Sequence, residues 1–230
     1  MINHLVTFGC SFTYGSGLSD CITEDGSHGP IASEQAWPSI LGKLTGMKVD
    51  NASACGSSNV RITKAVVDYP KYTKQTVVVI FWTNPDRETI YTDRGEEKLH
   101  MLPRFADRHM PRSFWFDKDK NNFKKTVKTY YEDYHEDWNA AFNQVIRMNY
   151  IHAFLKDKGI RSLHLQGDHY INDIEDKKYF KKLYLKDLEH KQFNWKHKFH
   201  IDDALDRPNP HPGPNSHKLM ADNINNWYFK

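Results

Sequence analysis

No window of the 230-residue chain approaches ~20 uninterrupted apolar residues, so the signature of a membrane-spanning helix is missing. The opening Met1-Ile2-Asn3-His4 lacks the basic stretch leading into an apolar run that marks a secretory leader, and a cytoplasmic protein is expected. Cysteine is scarce. Cys10, Cys21 and Cys55 are odd in number and unpaired in spacing, which excludes a disulfide framework or a zinc knuckle and predicts reduced thiols. The thirteen histidines include no His-Glu-x-x-His pattern, and His197 with His200 reads as a solvated pair rather than a ligand pair, so no metal is expected. Neither sign of charge dominates. With 32 Lys and Arg against 29 Asp and Glu, the overall field gives no reason to infer a nucleic-acid partner.

Aromatic residues, by contrast, are abundant: twelve Tyr, thirteen Phe and six Trp. In a chain of low mean hydropathy they predict a compact body with polar, aromatic-studded loops, suited to a carbohydrate or lipid cleft and equally to packing. The length suits one substantial core, read as a single domain over residues 1–230 with insertions at about 87–131 and 170–200.

Alternation of strand-like and helix-like segments predicts an α/β/α sandwich around a mainly parallel sheet. The strands are expected at Leu5 to Phe8, Met47 to Asn51, Gln75 to Trp82 and Arg161 to Gln166. Val77-Val78-Val79-Ile80-Phe81 has the continuous apolar character of a central strand covered on both faces. Helices are expected near Gln35 to Leu44, Asn59 to Tyr69, Glu132 to Lys158 and His217 to Tyr228. For the third of these, Trp138, Phe142, Val145, Ile146, Met148, Tyr150 and Phe154 are the expected core face. Arg87 to Tyr131 reads as an irregular loop over the strand ends, of the kind that carries specificity. Asp176 to Lys198 reads as a solvated amphipathic helix with long basic stems; its interleaved aromatics leave nucleic-acid contact as a rival reading, against which the near-neutral charge argues.

Four segments at predicted strand ends carry residue types that acyl transfer requires. Gly9-Cys10-Ser11-Phe12-Thr13-Tyr14-Gly15 delivers a serine into the turn after the first strand, where α/β proteins open their binding crevice. Asn51-Ala52-Ser53-Ala54-Cys55-Gly56 follows the second, with Gly56 permitting close backbone approach to a substrate oxygen. Trp82-Thr83-Asn84-Pro85 follows the third and offers the Asn84 amide as a donor. Asp206-Arg207-Pro208-Asn209-Pro210-His211-Pro212-Gly213 brings an imidazole and a carboxylate together before the last helix. Taken singly, each has a plain reading as a cap, a turn or an exposed loop. In order, they suggest a site.

The order and spacing of these blocks resemble those of the SGNH hydrolases, the GDSL esterase and lipase superfamily. Gly9-Cys10-Ser11-Phe12-Thr13 corresponds to the serine block, Gly56 to the glycine block, Trp82-Thr83-Asn84-Pro85 to the asparagine block, and His211-Pro212 with Ala221 to the histidine block and the helix beyond it. The resemblance implies a flavodoxin-like sheet, hydrolysis of esters or thioesters, and no cofactor, and the polar, aromatic insertion from Arg87 to Tyr131 suits a small acyl ester such as an O-acetylated sugar better than a long acyl chain. It implies Ser11 as nucleophile, His211 as base, and an oxyanion hole from the Ser11 and Gly56 N–H groups and the Asn84 amide. Three departures accompany it. Cys10 stands where the family has aspartate, Trp82 and Pro85 flank Asn84 in place of glycine and aspartate, and Pro208 occupies the position of the orienting aspartate. Asp206 is then the orienting carboxylate, with Asp202 and Asp203 as rivals, and a bare Ser-His dyad results if none faces His211. His217 is a rival base, expected to lie inside the last helix and turn away from Ser11. A glycan-binding module without catalysis on the same scaffold is the alternative reading.

Overall fold

A computed structural model describes residues 2–24, 28–93, 97–101, 120–167, 177–192, 199–205 and 211–230. Five strands, β1 (His4–Phe8), β2 (Lys48–Asn51), β3 (Thr76–Trp82), β6 (Arg161–Gln166) and β7 (His190–Gln192), form one sheet in the order β2-β1-β3-β6-β7. Every pairing in it is parallel. This is the doubly wound arrangement in which strand order reverses between β1 and β3, opening a crevice beyond their carboxyl ends.

The sheet forms here because its central strands are apolar on both faces. Val77, Val79 and Phe81 turn to one side with Leu5, Leu163 and Leu165, where α2 (Trp37–Thr45) and α7 (Pro214–Ile224) cover them through Trp37, Leu41, Met220 and Ile224. Val78, Ile80 and Trp82 turn to the other with Val6 and Phe8, beneath Ile62 and Val66 of α3 (Asn59–Asp68) and Met148, Ile151 and Leu155 of α5 (Asp137–Asp157). The three-layer α/β/α fold is as expected. Within the second layer His164 is sealed: its Nδ1 accepts from Trp82 Nε1 at 3.1 Å, and its Nε2 lies 3.1 Å from Ser162 Oγ. Among the described residues, no helix is long and apolar enough to cross a membrane.

The segments read as insertions differ from expectation. Residues 87–131 hold an antiparallel hairpin, β4 (Glu88–Tyr91) with β5 (Glu97–Met101), and the helix α4 (Lys120–Thr129), while 102–119 lie outside the described residues. A π-helical turn at Tyr130–Tyr134 delays the long helix α5, which was expected from Glu132. Its buried face is also not the aromatic one: Ala141, Val145, Met148, Ile151 and Leu155 are sealed, whereas Trp138, Ile146 and Tyr150 are exposed. Asp176 to Lys198 is not a single amphipathic helix. Helix α6 (Lys177–Leu183) ends early and the chain returns as β7, a fifth strand of the sheet; residues 193–198 are outside the description.

Candidate active site

Ser11 is the first residue of the four-residue helix α1 (Ser11–Tyr14), directly past the end of β1, and is buried. Gly9 makes the turn possible. A Cβ there would lie 2.1 Å from Thr13 Oγ1 and 3.1 Å from the Phe81 carbonyl oxygen, so any larger residue would push the serine turn away from β3. The carbonyls of Cys10 and Ser11 accept from Thr13, Tyr14, Gly15 and Ser16, which closes the turn tightly.

The segment after β2 runs alongside this turn. Ala52 N–H donates to the Thr7 carbonyl at 2.9 Å and Ala54 N–H to that of Gly9 at 3.2 Å. Asn51 ties the two loops together: its Nδ2 donates to the Thr13 carbonyl at 2.8 Å, and its Oδ1 accepts from Thr7 Oγ1 and from the N–H and hydroxyl of Ser53. A turn closed by Ser57 N–H on the Ala54 carbonyl follows, and within it Gly56 has φ +73°, a conformation that favours glycine.

Asn84 sits two residues past the end of β3. Its Oδ1 is buried and has no hydrogen-bond partner among the described residues. Such an orphan costs about 1–3 kcal/mol. The preceding residue, Thr83, is clamped by a side chain. Asn59, the first residue of α3, accepts from Thr83 N–H at 2.9 Å and donates to the Thr83 carbonyl at 3.1 Å. Ser58 beside it caps α3 by accepting from Arg61 N–H and shares a 2.7 Å hydrogen bond with Thr89 of β4. Further along the same loop the Asp86 carbonyl accepts from Tyr131 Oη at 2.7 Å. Glu88 then faces Arg147 at 3.9 Å; burial raises its carboxyl above the ordinary range, and the Arg147 charge opposes that shift.

The segment carrying His211 is stitched to the serine turn at two points. Leu205 N–H donates to the Gly17 carbonyl at 2.9 Å, and the His211 ring meets the Phe12 ring edge-on, with centroids 5.5 Å apart. Phe12 follows Ser11 in the chain. His211 itself is half-buried, and its carbonyl accepts from Ala204 N–H at 2.8 Å within a short antiparallel bridge between Asp203 and Pro212.

Two of the three candidate orienting carboxylates have other partners. Asp202 caps α7, accepting from the N–H groups of Asn215 and Ser216 and from Ser216 Oγ, which together hold its carboxyl below the ordinary range against the opposing effect of burial. Asp203 Oδ1 lies 2.9 Å from His200 Nε2. Asp206 lies outside the described residues. His217 is inside α7 and fully buried, and its Nδ1 accepts from Trp37 N–H at 3.1 Å, capping the start of α2. Burial, reinforced by nearby His211 and opposed by Asp202, pushes the His217 imidazole down to about 3, so it stays neutral at physiological pH.

The loops bearing Ser11, Gly56 and Asn84 therefore lie side by side at the point where strand order reverses, with His211 over Phe12. The buried asparagine ties between them had no place in the reading of the sequence. Asn51 there was the end of a strand and Asn59 the start of a helix, both ordinary positions for asparagine. Among the described residues, no group of three or more His, Cys, Asp or Glu is arranged to hold a metal ion, and the three cysteines are free.

No protein-family model matches the sequence, and no curated protein is similar to it at the sequence level. Solved structures are similar in fold. One is a carbohydrate esterase whose active site displays divergent catalytic and non-catalytic binding functions, with a TM-score of 0.55 and 14% identity over 99% of this chain and 68% of that one. Another is the acetyl xylan esterase Est2A from the rumen bacterium Butyrivibrio proteoclasticus, at TM-score 0.53 and 11% identity over 98% of this chain and 64% of that one. A third is a carbohydrate esterase family 2 enzyme with a carbohydrate-binding domain from Corynascus thermopiles (Myceliophthora fergusii), at TM-score 0.54 and 12% identity over 97% of this chain and 66% of that one. This chain thus spans about two thirds of their length. What it shares with them is the fold, a three-layer α/β/α sandwich.

Proposed function

We propose that the chain is a single catalytic domain, a serine esterase of SGNH type that removes small acyl groups, with O-acetyl groups on carbohydrate as the intended substrate. The observation that carries this reading is the convergence of the Ser11, Gly56 and Asn84 loops at the β1/β3 switch point, with the His211 ring against the residue after the serine. In the mechanism, Ser11 Oγ attacks the ester carbonyl carbon while His211 takes its proton. The resulting oxyanion is held by the N–H groups of Ser11 and Gly56 and by the Asn84 amide. Collapse breaks the ester C–O bond, His211 returns the proton to the departing alcohol, and water repeats the sequence on the acyl-enzyme. Asp206 is assigned to orient His211, with Asp202, which caps α7, and Asp203, which lies 2.9 Å from His200 Nε2, as its rivals.

The substrate class draws its support from two sides. The hydroxyl of Tyr131 donates to the Asp86 carbonyl, two residues past Asn84, which sets a polar aromatic side chain on the asparagine loop where a sugar ring would be received. The three similar solved structures are also carbohydrate or acetyl xylan esterases. The test compares hydrolysis of acetyl, butyryl and octanoyl p-nitrophenyl esters by the parent and by Ser11→Ala. The expected result is fastest turnover on acetate and near-complete loss in the variant. Preference for octanoate would overturn the substrate class, and an unaffected Ser11→Ala would overturn the mechanism.

A second reading, a glycan-binding module without catalysis, is favoured by Pro85 and Pro208 at family positions of aspartate and by the prior engagement of Asp202 and Asp203. It predicts no turnover together with measurable binding of acetylated oligosaccharide.

A further inference from the structure

Thr83 lies one residue beyond the last rung of the sheet. The β3 ladder runs to Ile80 on the β1 side and to Trp82 on the β6 side, so neither strand supplies partners for the Thr83 backbone. Asn59 supplies both. Its side-chain amide presents an acceptor to Thr83 N–H at 2.9 Å and a donor to the Thr83 carbonyl at 3.1 Å, the pairing that one residue of a neighbouring strand would make. Asn59, Thr83 and Gln144 are all buried, and Gln144 Oε1 accepts from the same Asn59 Nδ2. Asn59 stands three residues after Gly56, and Thr83 stands one before Asn84. A single buried amide thus bridges the two loops that carry two of the three proposed oxyanion donors.

We propose that Asn59 is a positioning residue: it sets the separation between the Gly56 N–H and the Asn84 amide, and it acts on turnover only through Asn84. This rests on the hydrolase reading. Oxyanion donors must lie close to the place where charge develops, and a misplacement of ~1 Å lowers rate by about 100-fold. Asn59→Asp keeps an acceptor for Thr83 N–H but cannot donate to the Thr83 carbonyl, and it brings two oxygens together there. Asn59→Ala removes both contacts.

The test is a double-mutant cycle on acetyl ester hydrolysis, using Asn59→Asp, Asn84→Ala and the pair. Asn59→Asp alone should lower kcat by 10- to 100-fold with KM within about 3-fold. In the Asn84→Ala background the same substitution should cost less than about 3-fold, because the donor it positions is gone. Equal losses in both backgrounds would overturn the proposal, since a residue that merely supports the fold lowers turnover regardless of Asn84. Backbone amide exchange read by NMR in Asn59→Ala and Asn59→Asp makes the outcome independent of activity. The Thr83 N–H should lose protection and the Asn84 signals should move, while Val78 to Ile80 stay protected. Unmoved Thr83 and Asn84 signals would sink the positioning role even if the hydrolase reading holds. A parent whose esterase activity does not depend on Ser11 would sink the hydrolase reading, and the positioning of Asn84 would then be decided by exchange alone. Should Asn59→Ala fail to fold, Asn59→Asp carries both measurements.

Discussion

Lowering the pH from 7 to 5 is expected to remove about 4 kcal/mol of folding stability through two buried histidines. Burial pushes both His164 and His217 down to about 3 from an ordinary value of 6.5. For His164 the nearby His152 and His190 add to the effect of burial; for His217 His211 adds to it, while Asp202 and Asp20 oppose it. Each imidazole must stay neutral in the folded state because its Nδ1 accepts a hydrogen bond, from Trp82 Nε1 and from Trp37 N–H respectively. In the unfolded chain both titrate near 6.5. Unfolding therefore takes up protons below that value, so the stability these groups confer is complete above about pH 6.5 and is lost as the pH falls toward about 3. At pH 5 the loss is about 2 kcal/mol per histidine. It is set almost wholly by the unfolded value, because pH 5 lies well above the folded one. Against a total stability of about 5–15 kcal/mol this is a large share. Glu88, whose raised carboxyl acts in the opposite sense, is unchanged by a histidine substitution and cancels in a difference. Urea titrations of the parent and of His217→Gln at pH 7 and pH 5 isolate the His217 share, since glutamine can still accept from Trp37. The parent should lose about 2 kcal/mol more than the variant between the two pH values. An equal loss in both, or an NMR titration showing His217 protonated in the folded protein at pH 5, would contradict a His217 that is buried and neutral.

Asn84→Ala should slow acetyl ester turnover by ~100-fold or more, the usual consequence of losing one oxyanion donor at ~2.7–4 kcal/mol, with urea stability little changed or raised because a buried orphan oxygen is removed. Gly9→Ala should destabilise the fold by about 2–4 kcal/mol, measured by urea denaturation, since the new methyl would overlap Thr13 and press on the Phe81 carbonyl; parental stability would contradict the packing described for the serine turn. Leu41→Ala should cost about 2–5 kcal/mol by the same assay, because Leu41 is fully buried where α2 meets the sheet.

The central sheet was legible because its strands are buried on both faces and so read as unbroken apolar runs. The run at Val77 to Phe81 and the segment Arg161 to Gln166 are both found where expected. The hairpin β4–β5 and the strand β7 were not legible, since Glu88, Glu97, Lys191 and Gln192 are polar and those strands are short or lie at an edge. The α5 face misled for a different reason. Its sealed side interleaves the aliphatic Val145, Met148, Ile151 and Leu155 with the small and polar Ala140, Ala141, Gln144 and His152, while its large aromatics at Trp138 and Tyr150 are exposed. At the site, the glycine and proline punctuation of four loops was readable in one dimension. The ties made by Asn51 and Asn59 were not, because each joins a side chain to a backbone group that only the finished sheet brings near.

The most direct test of the account is covalent labelling of the native protein with a fluorophosphonate, followed by peptide mass spectrometry, in the parent and in His211→Ala. One adduct is expected, on Ser11, with its rate of formation falling by orders of magnitude when His211 is removed. A folded parent that takes no label on Ser11, or one labelled there equally fast without His211, would contradict it.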